Sequence, residues 1–289
     1  MWQEIIEGLQ QRARENVEND PRDYTENGLL HCWKCHKPKE IIVQFPWGEQ
    51  KCVAQCDCQL EEQRKQEEAR KVRQRAEKVE RLRERGFHDQ TLRSWTFAAD
   101  DGSSPVLMKK MRSYVSKFPI MRDENCGLLL YGTVGTGKTF AAACVANALI
   151  DRNVPVIMTS FPRIINSLQA TFENKQRYLD DLNDCDLLVI DDFAVERQTE
   201  YVQQIIYEVI DSRYKVGYPL IVTTNLTAKE LKNPGDVSRS RIYSRLLEMC
   251  HPVEVTGPDR RRSAIIHNFS KMEAILNGDD TGEADETKA

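Results

Sequence analysis

GTVGTGKT, Gly132 to Thr139, fits the pattern G-x-x-x-x-G-K-[ST] that cradles phosphate. Directly before it, Gly127-Leu-Leu-Leu-Tyr131 is a short apolar run that reads as a buried strand. Directly after it, Phe140 to Ile150 is an alanine-rich helix former. Strand, glycine-rich turn and helix are the context that gives the motif physical meaning. Gly132, Gly135 and Gly137 let the backbone turn N–H groups inward as a nest for phosphate oxygens, with Thr133, Val134 and Thr136 completing the loop. The helix N-terminus, running into Phe140, adds partial positive charge, and Lys138 reaches the terminal phosphates. The Thr139 hydroxyl is placed to coordinate Mg²⁺. A nucleotide is the expected ligand.

Downstream, Leu187-Leu-Val-Ile190 ends in Asp191 and Asp192. A buried strand delivers acids at its C-terminal edge, where ligands of α/β folds sit. Asp191 is placed to hold Mg²⁺, directly or through water, and Asp192 is the candidate base that orients the attacking water. Alone, two acids after a strand could equally cap the next helix; with a phosphate loop upstream they form a pair with it. Leu220 to Thr224 is a further strand, and Asn225 at its tip is placed to bond a γ-phosphate or the lytic water. Arginines follow at Arg239, Arg241 and Arg245, then Arg260, Arg261 and Arg262. A guanidinium on a transferring phosphoryl group greatly accelerates transfer, but composition does not choose among these six.

From about residue 88 the pattern alternates strand and helix. Strands are expected at Val154–Thr159, Asp186–Ile190, Pro219–Thr224 and Pro252–Val255, with helices at Phe161–Leu182, Tyr201–Tyr214 and Arg239–Met249. This predicts an α/β fold: a parallel sheet covered by helices on both faces, over residues 88–277. Residues 1–30 contain an amphipathic helix with Trp2, Ile5, Ile6 and Leu9 on one face, ending near Asp20-Pro21. Residues 31–58 carry a cysteine cluster, and residues 59–87 form a charged connecting helix in which Ala69, Val72, Ala76 and Val79 fall at helical spacing and Gly86 is the C-cap. The tail, residues 278–289, holds five acids and one lysine. That accounts for the whole net charge of −4, so any surface for nucleic acid must be local. The tail's composition is that of disordered segments.

No apolar run reaches the eighteen or so residues of a membrane span, and Glu4 and Glu7 do not suit a signal peptide. Of nine cysteines, Cys32, Cys35, Cys52, Cys56 and Cys58 crowd together. An odd total with local clustering favours a metal site in a reducing, cytoplasmic setting over a disulfide framework.

Four ordered motifs, GTVGTGKT, LLVIDDF, the VTTN strand end and RIYSRLLE, resemble an AAA+ ATPase. Within that superfamily they are similar to replicative helicase loaders of the DnaC/DnaI type, with the IstB transposition ATPases as a sister group. The resemblance covers about residues 90 to 270 and implies ATP as the nucleotide. It makes Lys138 and Thr139 Walker A, Asp191 and Asp192 Walker B, and Asn225 sensor 1. It implies that Arg245, with Arg241 second, is an arginine finger acting on a neighbouring subunit, and that Arg260 or Arg261 is sensor 2. One departure is Asp192, where many AAA+ proteins carry Glu. The implied activity is ATP-dependent loading of a replicative DNA helicase onto single-stranded DNA by a homo-oligomer. Regulation of a DNA transposase is the alternative within the ATPase class, and an ATP-binding adaptor with little hydrolysis is a third.

Cys32-x-x-Cys35 and Cys56-x-Cys58 offer four thiolates, enough for one tetrahedral Zn²⁺, with Cys52, His31 and His36 as spare candidates. Zinc would supply the stability that so short and polar a segment cannot draw from its own core. The resemblance makes this module a dock for the helicase; direct DNA binding is the rival reading. Between the second and third strands, Arg163, Phe172, Lys175, Arg177 and Tyr178 mix basic and aromatic side chains suited to single-stranded DNA, although an ordinary amphipathic helix has the same composition.

Overall fold

In a computed structural model, the described residues are 20–86, 90–170, 175–193, 199–260, 269, 272, 273 and 275–277. The expected N-terminal helix, the acidic tail, Phe172, Arg261 and Arg262 lie outside them. The chain divides into two compact units, Met1–Gln74 and Arg75–Ala289.

The first unit is built from two hairpins. β1 (Tyr24–Glu26) and β2 (Leu29–His31) turn at Asn27-Gly28, both with positive φ, as a tight two-residue hairpin turn requires. These strands lie just past the expected helix end near Asp20-Pro21, and β2 reaches into the expected cysteine segment at His31. β3 (Glu40–Phe45) and β4 (Gly48–Val53) form the second hairpin, with Phe45 and Trp47 stacked at its tip. Lys39 and Asp23, both almost fully buried, form an ion pair of 2.6 Å, and Asp23 also accepts the Trp33 backbone N–H. Helix α1 (Asp57–Gly86) follows; its Val72 is exposed, whereas Val79 and Leu82 are buried in the second unit's core.

In the second unit, α2 (Gln90–Ser94), a 3₁₀ turn (Phe97–Ala99), α3 (Pro105–Ser116) and α4 (Phe118–Asp123) precede the first sheet strand. The sheet comprises β5 (Gly127–Tyr131), β6 (Val156–Ser160), β7 (Leu187–Phe193), β8 (Leu220–Thr224) and β9 (Cys250–Glu254). Its order is β6-β7-β8-β5-β9 and every pairing is parallel. Near-continuous apolar runs make this possible: Leu129, Leu130, Leu187, Leu188, Val189, Ile190, Ile221 and Val222 are fully buried between two helical layers. One layer includes α3 and α5 (Lys138–Ile150), whose small residues Ala141 to Ala146 are wholly buried. The other includes α6 (Phe161–Ala170), α8 (Glu200–Val216), the short α9 (Ala228–Lys232) and α10 (Val237–Met249). Of the helical stretch expected over Phe161–Leu182, the described residues form α6 and α7 (Lys175–Asn183). The last strand starts at Cys250, directly after α10, two residues earlier than its periodicity suggested.

Arg213 on α8 is fully buried. Its guanidinium donates to the carbonyls of Cys185, Asp186 and Pro219, tying together the starts of β7 and β8. Burial pulls its pKa below the ordinary guanidinium value. Arg213→Met roughly keeps the volume but removes the guanidinium donors from all three carbonyls, leaving Pro219 only the long 3.4 Å bond from the Leu188 N–H. It is expected to lower stability by about 3–5 kcal/mol, read as a lower urea midpoint.

Candidate nucleotide site

Sheet order brings the site together. β8 lies between β5 and β7, so the loop after β5, the acids ending β7 and Asn225 after β8 meet at one edge. The loop, Asp192 and Asn225, together with Trp95, Ala99, Asp101 and Arg260, line a cavity of about 300 Å³.

The loop's shape is set by close approaches. Gly132 has φ +143°, and a Cβ there would lie 2.3 Å from the Val255 carbonyl oxygen. Gly137, with φ +93°, is the N-cap of α5 and releases the helix's first N–H groups toward the cavity. Thr136 is buried and its hydroxyl donates to the Thr133 carbonyl; Thr133 and Val134 are exposed, and Val134 and Phe140 line the cavity. The Gly135 carbonyl accepts the Arg260 backbone N–H. Lys138 is buried, its ammonium donating to the carbonyls of Gly132 at 3.0 Å and Thr133 at 2.6 Å.

Thr139 bonds the half-buried Asp191 carboxylate. Burial raises the Asp191 pKa and the Asp192 charge adds to this, while bonds from Thr223 and Thr139 oppose it. Two oxygen donors already in contact fit a small hard cation such as Mg²⁺. Asp192 is exposed to the cavity and holds φ +53°, beside a register irregularity between Ile190 and Phe193. Arg260 reaches into the same cavity, donating to Ser104 at 2.8 Å and lying 3.5 Å from Asp101.

Arg245 and Arg241 lie elsewhere. Arg245 Nε is 2.9 Å from Asp211, and Arg245 donates to the Tyr207 hydroxyl at 3.1 Å. Arg241 is exposed, lines a separate groove with Glu200, Tyr207 and Ser238, and forms no ion pair among the described residues. In the basic-aromatic element, Lys175 pairs with Glu208, while Arg163 and Tyr178 line a cavity beside β6.

Sequence reasoning missed three contributors. Thr223 bonds both acids. Trp95 sets its ring 5.9 Å from that of Phe140, which the sequence did indicate, and the two form a wall suited to a flat base. Buried Asn147 holds that wall by donating to the carbonyls of Leu92 and Trp95. A polar residue amid the alanines of α5 was the available signal.

In the first unit, the sulfurs of Cys32, Cys35 and Cys56 lie within 4.8 Å of one another. Burial opposes ionisation of Cys35, but the Lys37 backbone N–H and Cys58 bond its sulfur and hold it down to about 6. The same contact with Cys35 pushes Cys58 up to about 11. Cys32, Cys35 and Cys56 are thus close enough to share one Zn²⁺, whereas Cys58, the expected fourth ligand, stands outside this group while its sulfur bonds that of Cys35. The spare candidates are engaged otherwise: His31 with the Leu29 carbonyl, His36 with the Tyr24 hydroxyl and Cys52 with the Gln50 carbonyl.

Residues 50–265 match the family described as IstB-like ATP binding protein. The chain belongs to this family. It is 32% identical to the replicative helicase loader DnaC of Escherichia coli (strain K12) over 129 residues, 43% of this chain and 51% of that protein. It is 27% identical to the replicative helicase loader DnaI of Bacillus subtilis (strain 168) over 190 residues, 61% of each. A Mycobacterium tuberculosis protein named as an ATP-binding protein in an insertion sequence is 27% identical over 147 residues, 48% of this chain and 57% of that protein. The chain thus spans about half of the first of these curated relatives and about three-fifths of the others. A crystal structure of DnaI aligns with TM-score 0.50 and 20% identity over 59% of this chain and 96% of that one, a likeness of fold alone. This IstB-like AAA+ protein has a nucleotide-binding fold, and no helix among the described residues is long and apolar enough to cross a membrane.

Gly132→Ala would force the loop away from Val255. Titration with a fluorescent ATP analogue should show affinity reduced at least about tenfold, ~1.4 kcal/mol.

Proposed function

We propose that this protein hydrolyses ATP and loads a replicative DNA helicase onto single-stranded DNA. The observation carrying the hydrolysis reading is the convergence of Lys138, Asp192, Asn225 and Arg260 on one cavity at the sheet edge. The loop's N–H groups bind the phosphates, and the Lys138 ammonium exchanges its loop carbonyls for phosphate oxygens. Thr139 and Asp191 would hold Mg²⁺, which when bound would offset phosphate charge. Asp192 accepts a proton from the attacking water, Asn225 orients that water, and Arg260, or Arg261 after it, meets the phosphoryl group.

Of the two candidate fingers on α10, Arg241 is the better suited to reach a neighbouring copy's nucleotide, because Arg245 is already neutralised by Asp211. Phosphate-release assays test these roles together. Asp192→Asn is expected to lower turnover at least about 100-fold with nucleotide affinity unchanged. Arg241→Ala should lose most turnover, again with affinity kept, and should regain some when mixed with subunits carrying intact Arg241. Equally negligible rates in wild type and Asp192→Asn would favour the adaptor reading.

Kinship with DnaC and DnaI supports the loader role over a purely enzymatic one. The insertion-sequence relative supports a second reading, regulation of a DNA transposase. The domain division carries the distinction: a cytoplasmic zinc module over residues 31–58 docks the helicase, the helix over 59–87 connects it, and residues 88–277 form the ATPase. Full-length protein purified without chelator should contain about one zinc per chain, and a Cys32→Ser/Cys35→Ser variant should lose it. In its host the tagged wild type should capture a replicative helicase and the variant should not. Capture of a transposase, or no zinc in wild type, would overturn this assignment.

A further inference from the structure

Ile190 pairs with Val222 and Phe193 with Thr224, so β7 advances three residues while β8 advances two. The extra residue falls at Asp191-Asp192, opposite Thr223. An inserted residue normally leaves a backbone N–H without its ladder partner. Here the Asp192 N–H donates to Thr223 Oγ1 at 2.9 Å, and the same hydroxyl donates to Asp191 Oδ1 at 2.6 Å. Thr223 is fully buried, so water does not substitute for either bond. Asp192 meanwhile holds φ +53°, a conformation that persists in a non-glycine residue only when its surroundings impose it.

We infer that Thr223 is a positioning residue for ATP hydrolysis, its one hydroxyl fixing the direction of both acids; this rests on the hydrolase reading above. By accepting from Asp192 it holds the backbone turn that presents the Asp192 carboxylate to the cavity. By donating to one oxygen of Asp191 it fixes the plane of that carboxylate. The charged side chains lining the cavity are Asp101, Lys138 on the loop, Asp192 itself and Arg260. Thr223 touches none of the reacting atoms and acts only through the acids.

Thr223→Val preserves shape and strand preference but removes both bonds, whereas Thr223→Ser retains the hydroxyl. The full-length chain is compared in three measurements: phosphate release, binding of a fluorescent ATP analogue, and amide hydrogen exchange at Asp192. Thr223→Val should lower kcat at least about tenfold while the analogue's Kd moves less than about threefold. Its Asp192 amide should exchange at least about tenfold faster. Thr223→Ser should restore all three values to within about threefold of wild type. Thr223→Ala replaces Val if the latter does not fold, with the same expected losses. Unchanged kcat in Val, a loss matched by weakened binding, or Ser as slow as Val would overturn the inference. A wild type that releases no phosphate counts against hydrolysis itself; exchange at Asp192 then decides, and equal rates in wild type and Val overturn the role of Thr223.

Discussion

A parallel sheet buried on both faces can carry polar groups only at its two ends, and the second unit is organised by that constraint. Between Leu128 and Leu130, Leu187 and Ile190, and Leu220 and Val222, the strands are apolar and sealed. Polar chemistry is therefore displaced to the edges. At the carboxyl edge stand Lys138, Asp191, Asp192 and Asn225; at the opposite edge Arg213 gathers the carbonyls of Cys185, Asp186 and Pro219. The first edge is open to ligand and the second is closed by a side chain. Placing β8 between β5 and β7 then makes the open edge a single site, because Asn225 emerges between loop and acids.

The nucleotide loop depends on backbone more than on side chains. Gly132 must pass beneath Val255, and the Gly135 carbonyl is tied to Arg260, so the end of β9 and the segment after it frame the loop. Arg260 in turn donates to Ser104. The residues leading into α3 are thereby coupled to the loop through one guanidinium that also lines the cavity.

The fold was legible wherever local pattern and burial agree. The run from Gly127 to Tyr131, the loop after it and the run from Leu187 into two acids each lie where the sequence puts them, since each is apolar up to the residue at which the sheet ends. The small hairpins were not legible, because residues 24–53 alternate too weakly: Ile41 and Ile42 are both exposed in β3. Val72 and Leu82 illustrate the same limit on α1, where helical spacing does not reveal which stretch finds a core. Arg245 fits a trans role by motif position, yet its tie to Asp211 on α8 depends on helix pairing that no local pattern encodes. Thr223 was invisible for a related reason. A threonine inside an apolar strand reads as β-branched filler until the neighbouring strand is known to bulge beside it.

That bulge also gives a physical account of the short acid at position 192. The residue sits in left-handed backbone, where Asp and Asn are several-fold enriched and longer side chains are rarer. In a regular strand, consecutive acids would point to opposite faces of the sheet, and only one could serve the cavity. Inserting a residue and turning φ positive redirects the second acid, and Thr223 satisfies the N–H that this leaves over. A glutamate would carry its carboxylate one bond further from a backbone already turned toward the site. The shorter aspartate is thus matched to its backbone: the turn supplies direction, and the side chain needs less reach.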